Sequence, residues 1–366
     1  MNRRTSAEPR STRTVSLPVT HPHIRDSVLD AVAELLGSRC SRALQGTRVD
    51  VAEQVLRELL ADGKCLRSSF LYLGWLCGAE PDSAAVRAAA SLEFLHAFAL
   101  MQDDVMDGSP LRRGRPSAHH ALEQWHRERG LPGSSSNFGA SAAVLLGDLC
   151  LVWAEQMLRE SGLDAAALTR AWPRYDAMRT ELAVGQFADL VNDAAVFPSL
   201  DDVLDVARRK SGNYTVRRPL EIGASLAGCD DRVLTALGGY GAAVGEAFQL
   251  RDDLLGVFGS PETTGKPAGA DLAARKATTV VVAAYQLAGT AQRRDLGRLM
   301  TADHLSPADI AQWQILIADI GTVDWIEQLI DQRLTCALDS LDAMALDSAA
   351  RSALIAMAAV CTERVT

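Results

Sequence analysis

The chain has 366 residues, of which 48% are hydrophobic, 5% aromatic and 23% charged, and its formal net charge is −9. This length admits two domains or one large domain, and the abundant alanine and leucine favour helices around a sizeable core. The negative charge argues against nucleic acid as a main partner. The seven cysteines form no CxxC pair, which is typical of reduced thiols in a cytoplasmic protein.

The beginning of the chain is basic and contains no apolar stretch of the kind found in secretory signals. We therefore predict a flexible basic tail over 1–20, followed by one domain over 21–366. No charge-free apolar run reaches the ~18–20 residues that span a bilayer, so we expect no transmembrane segment.

Nearly all of the remaining chain shows apolar residues at the three- and four-residue spacing of helices. Helices are predicted over 24–36, 50–60, 84–102, 140–158 and 232–258, with another around 181–190 and amphipathic helices from 273 to about 363. Loops are predicted at 130–139 and 259–272, where glycine and proline cluster. No alternating strand pattern of any length is present in the sequence, so the predicted fold class is all-α.

The long helix over 84–102 leads into an acidic segment that a basic segment follows at once. Asp103 and Asp107 are four residues apart, so their carboxylates stand on one helix face, with Asp104 beside them. Like charges placed in this way repel, unless a divalent cation lies between them. Mg²⁺ suits the arrangement because it prefers one or two carboxylates together with phosphate oxygens.

The basic segment supplies Arg112 and Arg113, whose planar guanidiniums are suited to gripping phosphate. A solvated helix end followed by a basic turn would explain the acidic and the basic segments separately. Their occurrence within a dozen residues, directly after an apolar helix, favours a diphosphate site.

Residues 245–258 repeat this pattern, since an apolar helix delivers Asp252 and Asp253 near its end. Acidic pairs on two separate helices suit a multi-metal diphosphate site, in which cations bridge the leaving-group oxygens. The following segment adds Lys266 and Lys276. The alternative is that these are two unrelated helix ends.

From about residue 24 to the C-terminal helices, the chain resembles the trans-isoprenyl diphosphate synthase (polyprenyl synthetase) family. The matching motifs occur in the family's order and with plausible spacing. They are GKxxR (Gly63, Lys64, Arg67), DDxxD (Asp103–Asp107) with RRG, GQxxDL (Gln186, Asp189), K-[ST] with a tyrosine (Lys210, Ser211, Tyr214), FQxxDD (Phe248, Gln249, Asp252, Asp253) and GKPxGxDL. One departure is visible, because Gly256 stands where the second motif ideally has a third aspartate.

The resemblance implies a single large helical bundle of the isoprenoid synthase type with a central active-site cavity. It implies head-to-tail condensation of isopentenyl diphosphate with dimethylallyl, geranyl or farnesyl diphosphate, catalysed by a Mg²⁺-dependent prenyltransferase. The catalytic residues would be Asp103, Asp104, Asp107, Lys210, Asp252 and Asp253. Three Mg²⁺ would be held by Asp103, Asp107 and Asp252. A homodimer is also implied.

Substrate contacts follow from the same resemblance. Arg112, Lys210 and Lys266 would provide positive charge to the allylic diphosphate, and Lys64, Arg67, His96 and Arg113 would bind isopentenyl diphosphate. The region around the carbocation would be lined by Lys210, Ser211, Tyr214, Phe248 and Gln249. Gln186 and Asp189 would contact the residues of the site rather than the substrate. By itself, His96 on an apolar helix is equally well explained as a core histidine. For Lys64 and Arg67, an exposed helix face is the alternative to a binding role.

Product length is predicted from the turn before the first motif. Ala99 lies one turn below Asp103 and leaves space for a growing tail, whereas Phe98 on a neighbouring flank is bulky. One small and one large residue resemble the pattern of C20 synthases, so geranylgeranyl diphosphate is the expected product and farnesyl diphosphate the alternative. Replacing Phe98 with alanine should lengthen the product.

Two other functions compete with elongation. A class I terpene cyclase shares the fold and a DDxxD helix, but the expected Asn/Asp, Ser/Thr, Glu metal triad is not found in the sequence. A non-catalytic partner subunit of another prenyl synthase would typically lose its aspartates, whereas the first motif here is complete.

Overall fold

The computed structural model describes residues 20–46, 51–61, 63–193, 198–261, 268–302, 304–344 and 346–363. Most of the predicted tail, residues 1–19, lies outside the described residues, as does Lys266.

Helices make up almost all of the secondary structure in the part of the chain that the structure describes, which confirms the all-α prediction. They are α1 (His21–Leu35), α2 (Ser41–Leu44), α3 (Val51–Ala61), α4 (Leu66–Leu76), α5 (Ser83–Met106), α6 (Ala118–Glu128), α7 (Ser135–Arg159), α8 (Ala165–Asp193), α9 (Leu200–Val206), α10 (Arg218–Ala227), α11 (Asp231–Phe258), α12 (Ala270–Ala273), α13 (Thr279–Leu287), α14 (Thr290–Met300), α15 (Pro307–Asp319), α16 (Thr322–Asp342) and α17 (Ser348–Thr362). Two π-helical stretches, Leu36–Cys40 and Ala207–Arg217, continue α1 and α9.

The predicted loops are shorter than the sequence suggested. The loop expected at 130–139 ends earlier, because Ser134 caps α7 by accepting a hydrogen bond from the Asn137 amide at 3.2 Å. Residues 270–272, expected in a loop, belong to the helical turn α12.

A short hairpin follows α5, in the basic segment after the first aspartate motif. Its two-residue strands are β1 (Leu111–Arg112) and β2 (Arg115–Pro116), paired antiparallel. The turn between them has φ of +53° at Arg113 and +75° at Gly114. Two positive φ angles are what tight two-residue hairpins require, so the glycine of the RRG motif permits this turn.

Helix α5 is the central element of the bundle. Its buried residues, among them Leu92, Phe94 and Leu95, lie on all of its sides, as expected for a helix surrounded by other helices. The buried apolar residues form two clusters that both include α11 and α16. The first lies mainly among α1–α10 and α17, and the second mainly among α12–α15. This arrangement holds the ends of α5 and α11 in one framework.

Two helices, α5 and α7, are long and apolar enough to cross a membrane by length and composition. The most apolar window of α5 is 67% buried inside the protein, which is the pattern of a core helix. That of α7 is only 39% buried, and its outward face exposes Leu145, Leu149 and Val152.

Close helix contacts explain several glycines. A Cβ atom at Gly223 of α10 would overlap the carbonyl oxygen of Leu71, and one at Gly74 of α4 would overlap that of Leu220. The backbones of α4 and α10 therefore touch, and a larger residue at either position would separate them.

Candidate active site

A cavity of about 1370 Å³ lies between α4, α5, α7, α8, α11 and the π-helical stretch Ala207–Arg217. Most of the side chains predicted from the sequence to form the site line it. They are Lys64, Arg67, His96, Phe98, Ala99, Asp103, Arg112, Arg113, Gln186, Lys210, Ser211, Tyr214, Phe248, Gln249 and Asp252. The motifs, spread over some two hundred residues of sequence, thus meet in one place.

Lysines pair with the carboxylates of the first aspartate motif. The Lys210 ammonium donates to Asp103 at 3.0 Å and to Asp189 at 2.6 Å, and the Lys276 ammonium donates to Asp107 at 2.5 Å. Burial alone would raise the pKa of Asp103, but Lys210 lowers it overall. Burial opposes the charge of Lys210, yet the two aspartates raise its pKa. Asp103 and Lys210 are therefore both charged near neutral pH.

Asp104 points away from the cavity. Its side chain is 2% exposed, and the Arg112 guanidinium donates to both of its oxygens, with Nε at 3.0 and 3.2 Å. Burial raises the pKa of Asp104, although Arg112 opposes this effect. Arg112 also reaches Asp103 at 3.4 Å, so this ion pair fastens the hairpin to α5.

A second polar region surrounds Arg67 on α4. Its guanidinium lies 4.4 Å from the centre of the Tyr214 ring, and the His96 ring lies 6.2 Å from the same ring. The Nε atom of Arg67 and the Nδ1 atom of His96 are buried and have no hydrogen-bond partner within the described residues. Buried polar atoms are normally bonded, so these two indicate a ligand in the cavity.

Glu93 is a site residue that the sequence analysis missed. It lines the cavity, is 6% exposed and accepts a hydrogen bond from the Ser68 hydroxyl at 2.5 Å. Burial lowers the pKa of Arg67, and the Glu93 carboxylate works against that change. Its position three residues before His96, on an otherwise apolar helix face, is the signal that could have revealed it.

The two aspartates of the second motif face in different directions. Asp252 lines the cavity, whereas Asp253 is 7% exposed and accepts hydrogen bonds from Gln249 at 2.7 Å and from the Thr279 amide at 3.0 Å. Burial, with a contribution from the charge of Asp271, raises the pKa of Asp253 to about 7. Asp253 therefore joins α11 to the start of α13.

Gly256 is the position at which the sequence departs from the family's motif. A Cβ atom there would overlap the side-chain carboxylate of Asp271. An acidic group from the following segment thus occupies the space beside α11 where a third aspartate of the motif would begin.

The π-helical stretch that carries Lys210 is held by glycines on both sides. A Cβ atom at Gly185 of α8 would lie 2.8 Å from the Lys210 amide nitrogen, and one at Gly212 would lie 2.9 Å from the carbonyl carbon of Gly245 on α11. Such close packing fixes Lys210 between Asp103 and Asp189. Irregular turns of this type are frequent at functional sites.

Beyond the charged end, the cavity wall becomes apolar. Phe98 and Ala99 of α5 lie opposite Leu151 of α7 and Leu182 of α8. The Phe98 ring would be 3.7 Å from a Cβ atom at Gly147, so it packs closely against α7.

The chain is similar in sequence to a known protein family and to several characterised enzymes. The polyprenyl synthetase family profile matches residues 49–316. Geranylgeranyl diphosphate synthase of Mycobacterium tuberculosis is 33% identical over 283 residues, 77% of this chain and 75% of that protein. Geranylfarnesyl diphosphate synthase of Aeropyrum pernix is 32% identical over 277 residues, 74% of this chain and 80% of that protein.

A solved structure is similar over almost the whole chain. It is the geranylgeranyl pyrophosphate synthase of Corynebacterium glutamicum, complexed with isoprenyl diphosphate and magnesium. The TM-score is 0.88 and the identity 37%, over 95% of this chain and 100% of that one.

A cavity with fixed charges at one end and an apolar wall beyond them is suited to an enzyme that transfers an apolar group between diphosphates. The profile and the relatives show that the chain belongs to the polyprenyl synthetase family. It is a prenyltransferase that elongates trans-prenyl diphosphates by head-to-tail condensation. The family and reaction class predicted from the motifs are confirmed.

Proposed function

We propose that this enzyme condenses isopentenyl diphosphate with dimethylallyl, geranyl or farnesyl diphosphate, and that its main product is geranylgeranyl diphosphate. The observation that best supports this proposal is that polar and apolar residues line the same cavity. Asp103, Lys210 and Asp252 form its polar end, and Phe98 and Ala99 belong to its apolar wall. The names of two similar proteins, from Mycobacterium tuberculosis and Corynebacterium glutamicum, support this product.

Mg²⁺ is the cofactor that the carboxylates fit best. Asp103, Asp107 and Asp252 offer the hard oxygen ligands that it prefers. Among the described residues, no three His, Cys, Asp or Glu side chains are grouped closely enough to hold a metal. Each ion would therefore take diphosphate oxygens and water as well as carboxylates. We propose three ions, which would neutralise charge on the departing diphosphate.

Positively charged side chains would bind the allylic diphosphate together with the metal ions. Lys210 and Arg112 lie beside Asp103 and provide fixed positive charge where negative charge develops on the leaving group. We propose that they receive the allylic diphosphate together with Lys266, whose role is implied by the family motif alone. Asp104 and Asp253 act by holding the hairpin and α13 against the site.

The second substrate would occupy the other polar region. Arg67 and His96 have unpaired buried nitrogens there, and Lys64 and Arg113 also line the cavity. These groups would bind the diphosphate of isopentenyl diphosphate without metal, which leaves its double bond directed at the allylic carbon.

The carbocation needs shelter from water. Tyr214, Phe248 and Gln249 line the cavity between the two diphosphate regions, with Ser211 nearby. Their ring faces and side-chain oxygens can stabilise positive charge. Asp189 of α8 accepts a hydrogen bond from Lys210 at 2.6 Å and holds it in position, and Gln186 of the same helix lines the cavity. The released diphosphate is the base that we propose for removal of the proton.

We further propose a cytoplasmic homodimer. The exposed residues Leu145, Leu149 and Val152 recur at helical spacing along the outer face of α7, which is suited to burial against a second copy. All seven cysteines are free, as expected for a reducing compartment.

The test is incubation of the purified protein with labelled isopentenyl diphosphate and each allylic primer, with Mg²⁺ and with a chelator. A Mg²⁺-dependent geranylgeranyl product is expected, and Asp252→Asn should lower turnover by ~10²–10³-fold, the order found for lost electrostatic contacts. A farnesyl product would replace the proposed chain length. No elongation by the folded protein with any primer would favour the partner-subunit alternative.

A further inference from the structure

On α8, the lining of the cavity ends at a charged residue. Along α8 the cavity lining runs from Leu190 to Arg179. Arg179 is the lining residue of this helix farthest from Asp189, and their separation of ten positions corresponds to ~15 Å along the helix axis. A prenyl tail that starts at the charged end and grows along α8 therefore meets the Arg179 side chain last.

Arg179 is fixed in place by three contacts. Its guanidinium lies 4.6 Å from the centre of the Tyr175 ring and donates to Asp176 on the same helix. Its third contact crosses to α7, where it donates to Glu155 at 3.1 Å. Such a network leaves the side chain little freedom to move aside.

The partner Glu155 continues the wall of α7. Leu151, which lines the cavity, lies one turn before Glu155 and therefore on the same helix face. Glu155 is 40% exposed and Arg179 27% exposed, so the pair stands where the space between α7 and α8 reaches the protein surface.

An apolar tail that reached this point could pass only by separating the ion pair. That separation would break the Arg179–Glu155 hydrogen bond and bring hydrocarbon against two charged groups, which is unfavourable. The aliphatic stem of Arg179, in contrast, can contact the tail end without cost.

We propose that the Arg179–Glu155 ion pair is the floor of the prenyl cavity and ends chain growth. This inference rests on the proposed elongation of a prenyl tail inside the cavity. It adds a determinant from α7 and α8 to Phe98, which narrows the cavity from the side of α5.

The experiment compares product lengths from the wild type, Arg179→Ala and Glu155→Ala. Arg179→Ala should lengthen the main product by at least one five-carbon unit, and Glu155→Ala should act in the same direction because it releases the arginine. The matched control is Arg159→Ala. Arg159 also contacts Glu155, at 3.4 Å, but does not line the cavity, so its removal should leave product length unchanged.

Binding provides a second readout that does not need turnover. The shift in melting temperature caused by geranylgeranyl and by geranylfarnesyl diphosphate is measured for each variant. The wild type should be stabilised more by the shorter compound, and Arg179→Ala should lose this preference. The proposal is wrong if the wild type and Arg179→Ala show the same binding preference for the two diphosphates. It is also required that any products they form have the same chain length. Absence of elongation combined with the expected binding preferences would count against the proposed function and in favour of this floor.

Discussion

At the residue scale, the two aspartate doublets show why neighbouring carboxylates serve different purposes. Adjacent residues are about 100° apart around a helix, so both members of a doublet cannot face one cavity. Asp103 and Asp252 line the cavity, whereas Asp104 and Asp253 are buried in its wall. The sequence identified all four residues but could not tell which way each would point, because that depends on the helices packed around them.

His96 makes a prediction about pH. Burial, together with the charges of Arg67 and Arg113, holds the pKa of His96 well below its usual value. The unfolded chain therefore binds a proton below pH ~6.5 that the folded chain does not. Stability contributed by neutral His96 is complete above this pH and is lost as pH falls, by up to ~1.4 kcal/mol per pH unit.

Denaturant unfolding at pH 7.5 and pH 5.5 measures this effect. The wild type should lose about 1 kcal/mol more free energy of unfolding than His96→Gln over this interval. His304→Gln, which replaces an exposed histidine, serves as the control. Equal losses in the wild type and His96→Gln would show that His96 is not kept neutral by the fold.

At the element scale, close backbone contacts between helices decide where the charged side chains stand. Helical periodicity identified most of the helices, but it could not predict the π-helical stretch around Lys210. That irregularity depends on Gly185 and Gly245, which allow neighbouring helices to touch it. The sequence does not reveal which glycines have this purpose, since others, such as Gly297, have open space around them.

The contact between α4 and α10 provides the prediction at this scale. Gly223→Ala should destabilise the protein by about 2–3 kcal/mol, because the added methyl group overlaps the Leu71 carbonyl and the helices must separate. Gly297→Ala, inside α14 and without neighbours within 4 Å, should instead stabilise it by ~0.5–1 kcal/mol. Both changes are measured by denaturant unfolding. Equal effects of the two substitutions would contradict the close contact.

At the scale of the whole molecule, the family motifs account for more of the charged end of the cavity than of its far end. Most residues of the charged end belong to a recognisable motif. The floor combines Arg179 with Glu155, two side chains from different helices that carry no motif. Glu93 was missed for the same reason. If product length depends on contacts between side chains of different helices, it is the property that is hardest to predict from the sequence.

Assembly gives the prediction for the whole molecule. One chain has a mass of 39.2 kDa, and light scattering should show a particle of twice that mass. Leu145→Glu, on the exposed face of α7, should give monomers, because a charge cannot be buried there without a partner. Ile315→Glu replaces an equally exposed residue on α15 and should leave the dimer intact. A dimer that survives the Leu145 substitution would place the interface on another surface.

The lysine–aspartate pairs of the first motif have a further consequence. In the free protein, Lys210 and Lys276 serve as internal counter-ions for Asp103 and Asp107. An incoming diphosphate attracts the same ammonium groups, and any movement toward it leaves the aspartates available to divalent cations. Each ligand thereby raises the affinity for the other, and this coupling is reciprocal. We expect a cation alone, or a diphosphate alone, to bind weakly, so that the enzyme becomes loaded when both are present together.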